Sequence, residues 1–320
     1  MWFERNRIVL CTGLLLLAIN LALTGCSKSS KPTASVFATP DDAANALIAA
    51  AKSSDRTAAA LALFGPDSKD MISSGDPVQD KEVIDAFVTK YDVMHRWRKM
   101  PDDSQILLVG ADNFPLAIPL KKNPDGKWYF DTVAGREEIL NRRIGRNELA
   151  VIGFCRTGAQ AEAEYHSQTH DGEKTKQYAL KFISDTGKHN GLYWQPAEGK
   201  PPSPLGPLAA YATSEGYAVK PDAHVPFHGY FFHMLTGQSS KARGGAKKYV
   251  VDGKMVGGFA FVAYPAQYGN SGVMTFMINQ DGVLLEKDMG KTTTELATAM
   301  TEFDPDEGWK IVEGWGMTIP

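Results

Sequence analysis

Apolar residues along this chain return in two rhythms, one helical and one of strands, and the order of those rhythms lays out the molecule. From residue 39 to about 96 the spacing is three to four, the period of a helix face. ATPDDAANALIAAAKSS opens with Thr39 as an N-cap, Pro40 at the first helical position, and Asp41 and Asp42 where they complement the helix dipole. DRTAAALALF predicts a second helix stopped by Gly65-Pro66. Asp76-Pro77 opens a third, VQDKEVIDAFVTKYDVMHRW, with Val83, Ile84, Phe87, Tyr91 and Met94 as its apolar face. Then come short β-rich runs, QILLVG, FPLAIPLK and KWYFDT, with Pro124-Asp125-Gly126 as a hairpin turn. Pro115 and Pro119 confine the middle run to a sheet edge or a bulge.

The helical period returns in AGREEILNRRIGRNELAVIGFCRTGAQAEAEYHSQ, which lacks proline and predicts one long helix, or two joined near Gly153, coupling the halves of the chain. Its charges, Arg142, Arg143 and Arg146 with Glu137, Glu138 and Glu148, read as a solvated, ion-paired face, with an anion site as the alternative. A proline-rich stretch, residues 196–208, follows as a stiff exposed connection. From residue 226 the pattern is almost all strand: HGYFFHML, KKYVV, GGFAFVAYP, GVMTFMIN and GVLLEKD, with Asp252-Gly253 and Asp281-Gly282 as hairpin signals. A capped helix, TTTELATAM, and an aromatic tail close the chain. The expected class is α+β. A three-helix and curved-sheet domain spans 37–133, a connecting helix 134–168, and a mainly antiparallel β domain 169–320. Three helices followed by a curved antiparallel sheet resemble, as architecture only, the nuclear-transport-factor-2-like superfold.

The first 26 residues follow another logic. Arg5 and Arg7 precede sixteen uncharged residues, IVLCTGLLLLAINLAL, which is a secretory signal pattern and short for a permanent span of about 20 residues. Leu23-Thr24-Gly25-Cys26 resembles a bacterial lipobox, which implies a signal peptide over 1–25 and lipid on Cys26. The alternative is a transmembrane anchor with a chance cysteine at its end. Ser27 is not the aspartate of an inner-membrane retention signal, which points to the outer membrane, facing the periplasm. Residues 26–36 read as a tether. Loss of Glu4, Arg5 and Arg7 with the signal moves the net charge from -3 to -4, which excludes the basic footprint of a nucleic-acid binder. Cys11 leaves with the signal and Cys26 takes lipid. Cys155 therefore has no disulfide partner and reads as a small buried hydrophobe.

PFHGYFFHMLTG, GGFAFVAYPAQYGNSGVMTFMINQDGVLLEKDMG and FDTVAGREEILNRRIGRNELAVI together resemble the bacterial envelope-protein family designated domain of unknown function 2950. The resemblance spans nearly the whole mature chain and carries over no catalytic residue. The C-terminal half is also similar to the heads of type IV pilin-like and pseudopilin proteins. Here the helix is internal and no prepilin-type leader precedes it, so polymerisation through an apolar helix is not implied.

Candidate chemistry is sparse. His224, His228 and His233 crowd one stretch, but His228 and His233 would point to opposite faces of a regular strand. His166 and His170 share a helical face without a third ligand, so no metal site is expected. No phosphate loop, dinucleotide fingerprint, Cys-x-x-Cys pair or nucleophile elbow occurs, and no cofactor is expected. Trp97, Asp112, Trp128 and Asp131 are the residues that could line a pocket in the first domain. The expectation is a lipid-anchored, non-enzymatic scaffold or accessory protein that meets a protein partner in the envelope. The alternative is a periplasmic small-ligand binder, or an enzyme, using that pocket.

Overall fold

In the computed structural model, which describes residues 34–199, 201–220 and 225–312, Thr39 starts the first helix by a reciprocal cap. Its hydroxyl accepts the Asp42 N–H at 3.1 Å and the Asp42 carboxylate accepts the Thr39 N–H at 3.1 Å. The signal segment, Cys26, His224 and residues 313–320 lie outside the described residues. After α1 (Pro40–Ala51) come α2 (Arg56–Phe64), a single 3-10 turn, α3 (Lys69–Ile72) and α4 (Pro77–Val93).

The third helix stops short of its sequence pattern. Met94 is extended and His95–Lys99 form strand β1 instead. Antiparallel pairing with β2 (Gln105–Val109), Trp97 opposite Leu107, satisfies the backbone that the helix would have used. Two arginines and a lysine on β1 suit a sheet edge, where charge deters further pairing. The expected apolar face is also thinner: Tyr91 is buried, whereas Val83 and Met94 are exposed. FPLAIPLK is divided by its prolines into β3 (Phe114–Pro115) and β4 (Leu120–Lys122), and β5 (Trp128–Phe130) completes the sheet β1-β2-β4-β5, with β3 on β2. Ala43, Ala44, Leu47 and Leu63 of the helices pack against Leu107, Leu120 and Phe130 of the sheet.

Helix α5 (Thr132–His166) runs unbroken for 35 residues, about 52 Å at 1.5 Å per residue. Its first turns lean on the N-terminal core through Ile139. Val151, Ile152, Cys155 and Ala159 join the second core. Cys155 is fully buried and its thiol is pushed up by burial, so it packs as a hydrophobe. The helix ends at His166. His170 therefore does not share its face; it turns back so that its ring stacks on Tyr165, while His166 stacks on Tyr178.

The second core is covered by the antiparallel sheet β15-β13-β12-β11-β6, built from β6 (Tyr230–Leu235), β11 (Ala260–Pro265), β12 (Met274–Asn279), β13 (Leu285–Asp288) and β15 (Lys310–Ile311). A smaller sheet joins β7 (Gly237–Gln238), β8 (Lys247–Lys248) and β14 (Glu302–Phe303), and β9 (Val250–Val251) pairs with β10 (Lys254–Met255). Asp252 and Gly253 between β9 and β10 have φ of 51° and 76°, the type I′ geometry their sequence implies. Helix α7 (Thr293–Ala299) packs on β11. Helix α6 (Gly206–Glu215) was not visible in the periodicity; it begins inside the proline-rich stretch and ends at left-handed Gly216. The architecture is α+β. Among the described residues, no helix is long and apolar enough to cross a membrane.

Candidate functional site

The four residues expected to share a first-domain pocket are placed with four different partners. Trp97 donates its indole N–H to Asp41 at 3.1 Å. Asp112 pairs with Lys90 at 2.5 Å. Trp128 packs in the N-terminal core. Asp131 caps α5 by accepting the Ala134 N–H and pairs with Lys121, each at 3.1 Å. None of the four lines the cleft described below.

That cleft lies where α4, α5 and α6 meet the turn leading into β6, beside a buried polar network that begins at Asp76. Asp76 is fully buried, and one of its oxygens caps α4 by accepting the Val78 and Gln79 N–H groups at 3.2 and 3.1 Å. The other accepts the Tyr217 hydroxyl at 2.8 Å and the Gly229 N–H at 3.0 Å. The His228 N–H in turn donates to the Tyr217 oxygen at 3.2 Å. His228 and Gly229 both have positive φ, 47° and 74°, and Phe227 and Tyr230 exchange backbone bonds across them. His228 is thus a tight-turn residue ahead of β6 rather than a strand residue. Such a backbone is strained for a residue other than glycine, and the buried carboxylate holds it in place. A side chain at 229 would come within 2.6 Å of Asn147 Nδ2, so glycine is required there on space as well.

From α5, fully buried Asn147 donates to the Ser271 carbonyl at 2.8 Å and accepts from Gln79 Nε2 at 2.8 Å. The Ser271 carbonyl can only accept, which fixes the Asn147 amide and, through it, the Gln79 amide. Among the described residues, Gln79 Oε1 is then left buried without a donor. Gln79 Nε2 also faces His228 Nδ1 at 3.5 Å, so the neutral ring carries its proton on Nε2, towards Glu215. Glu215 Oε2 lies 3.4 Å from that nitrogen, near enough for attraction but without hydrogen-bond alignment, and it too lacks a donor. His228 and Glu215 expose only 13% and 11% of their side chains.

The cleft has a volume of about 450 Å³. Gln79, Glu82 and Val83 line it from α4, and Arg146, Ala150, Gly153, Phe154 and Thr157 from α5. Leu208, Tyr211 and Glu215 contribute from α6, with Phe227 and His228 from the turn. Tyr211, over half exposed, stands at the mouth. Its hydroxyl is pushed up to about 12, first by a hydrogen bond to Glu215, then by burial and by the charges of Glu215 and Glu82. The Tyr217 hydroxyl is raised further, by burial and then by Asp76.

The charged cluster of α5 is only partly the solvated face its spacing implies. Arg142 does pair with Glu138 at 2.6 Å. Arg143 is buried and donates to the Asp70 and Met71 carbonyls at 2.7 and 2.6 Å and to the Asn270 side chain. Glu148 accepts the Val273 and Met274 N–H groups, each at 2.9 Å. These residues bind α5 to the loop before β12, and partners 125 or more residues away along the chain cannot be read from periodicity. Tyr217 and Glu215 were missed with α6 itself; Pro207 near its start and Gly216 at its end were the available signals. His233 on β6 contacts the Met300 carbonyl at 3.0 Å, well apart in role from His228. Among the described residues no group of three or more His, Cys, Asp or Glu could hold a metal ion.

Neither a curated protein nor a solved structure matches the chain, so the likenesses to nuclear-transport-factor-2-like and pilin-head folds rest on element order alone. A family model, described as a protein of unknown function, DUF2950, matches residues 34–312, and the chain belongs to that family.

Proposed function

We propose that this chain is a lipid-tethered protein of the cell envelope that acts by binding rather than by catalysis, with the cleft between α4, α5 and α6 as its binding site. One observation carries the site: two buried acceptors, Gln79 Oε1 and Glu215 Oε2, lack donors on either side of one imidazole beside the cleft. Leaving such groups unpaired costs about 1–3 kcal/mol each, a penalty that a ligand would relieve. Binding is favoured over catalysis by the state of the hydroxyls. Thr157 back-bonds to the Gly153 carbonyl at 3.1 Å, and Tyr211 is raised to about 12, so neither is an activated nucleophile. The tether rests on the signal pattern and on Cys26 within Leu23-Thr24-Gly25-Cys26.

Gly153 supplies the test of the site. Gly153 lines the cleft and a Cβ there would meet nothing within 4 Å, so Gly153→Leu adds bulk to the cleft from a position with room for its first carbon. Compounds from a broad metabolite set that raise the melting temperature of the wild type should lose that effect in Gly153→Leu. Hits that persist in the variant would place binding elsewhere. For the tether, an alkyne fatty acid fed to cells should label the wild type and leave Cys26→Ala unlabelled; equal labelling would remove the anchor from the proposal.

A scaffold role through an envelope protein is the second reading, favoured by exposed Val83 and Tyr211 at the cleft mouth. In-cell crosslinking of the wild type and the Cys26→Ala form reads it: a stoichiometric partner lost on release supports it, and a clean monomer rejects it.

A further inference from the structure

The geometry points to a ligand of the amino-acid class, a small zwitterion with an apolar side chain, whose ammonium binds at Glu215 and Gln79 and whose carboxylate meets Arg146. This rests on the cleft being the binding site. Both orphaned atoms are acceptors, so the missing partner must be a donor. A carboxylate ligand at that end would face two more oxygens and be repelled. Glu215 and Glu82 give the cleft two acidic groups against one arginine, which again favours an ammonium. Arg146 lies in the same cleft, on the exposed side of α5, with its guanidinium free to take a planar carboxylate by two hydrogen bonds. In the same cleft, Val83, Phe154, Leu208 and Phe227 supply apolar wall for an aliphatic side chain. The volume, about 450 Å³, is within the range of small-molecule sites, about 300–1,000 Å³.

The two orphaned oxygens are shut off from bulk water. Tyr211 lines the same cleft, over half exposed, with its hydroxyl under the influence of Glu215. The ammonium displaces that hydroxyl as the donor to Glu215, and the Tyr211 ring, turned aside, can lie against the charge.

Calorimetric titration of the full mature chain tests the assignment with three probes: leucine, 3-methylbutylamine, which lacks the carboxylate, and 4-methylpentanoate, which lacks the ammonium. Leucine should bind, the amine about tenfold more weakly, and the acid not measurably. Glu215→Gln and Arg146→Ala should each weaken leucine by about tenfold or more, while Tyr211→Phe, which removes the competing hydroxyl, should bind it as tightly or more tightly. Binding of the acid at the strength of leucine, no binding of leucine, or leucine binding unchanged in Glu215→Gln would each overturn the ligand class. Failure of leucine while other compounds bind in a Gly153→Leu-sensitive way would leave the cleft standing and reject only the ligand; leucine binding that survives Gly153→Leu would reject the cleft.

Discussion

Asp76 and Asp55 perform the same local task and should differ sharply in worth. Asp55 caps α2 by accepting the Ala58 N–H at 2.9 Å at an exposed site. Asp76 caps α4 and also holds Tyr217 and Gly229 in the interior. Asp55→Ala should cost about 1 kcal/mol, the loss of one cap. Asp76→Ala also strands buried donors and should cost about 3 kcal/mol or more in urea unfolding. Equal losses would mean that the seam is not held by this carboxylate. Glu162 gives a second residue-scale prediction. It is fully buried, and burial pushes its carboxyl well above the ordinary 4.5, only partly offset by the hydrogen bond from the Ala179 N–H. Above pH 4.5 the unfolded chain releases this proton while the folded chain retains it. Stability therefore falls as pH rises from 4.5 towards the raised folded value and stays lowered beyond it. Glu162→Gln should remove that slope, so that its melting temperature gains on the wild type from pH 5 to 8; parallel curves would show a carboxyl that is not buried neutral.

Within α5 two glycines sit five residues apart with opposite surroundings. A Cβ at Gly153 meets open space, whereas one at Gly158 would lie 3.0 Å from the Phe261 ring. Gly153→Ala should stabilise the protein by about 1 kcal/mol, the helix-propensity difference, and Gly158→Ala should destabilise it, both read as shifts in melting temperature. The sequence shows both as glycines in one helix and cannot tell them apart, because what differs is a contact across about 100 residues of chain. The same limit divides what was legible elsewhere. Caps at Thr39 and Asp76, the Asp252-Gly253 turn and the continuity of α5 are local, and their residues announce them. Strand β1 was hidden because HRWRK lacks an apolar period and exists by pairing with β2. The cleft was hidden because α6 opens among prolines and because His228 takes its conformation from Asp76.

At the scale of the whole molecule, α5 serves both cores, and Arg143, through Asn270, with Asn147 and Glu148 stitch it to the loop before β12. The described residues all belong to one compact unit. Calorimetry should accordingly find a single transition whose van't Hoff and calorimetric enthalpies agree; two transitions would show that the cores unfold separately despite the shared helix. The cleft lies beside the buried polar network that Asp76 forms with Tyr217 and the turn at His228 and Gly229. The most direct test is a crystal structure of the mature chain grown with saturating leucine. Density in the cleft with the ammonium about 2.8 Å from both Gln79 Oε1 and the Glu215 carboxylate is the expected result. An empty cleft at saturation, or leucine bound with its carboxylate turned to those oxygens, would contradict it.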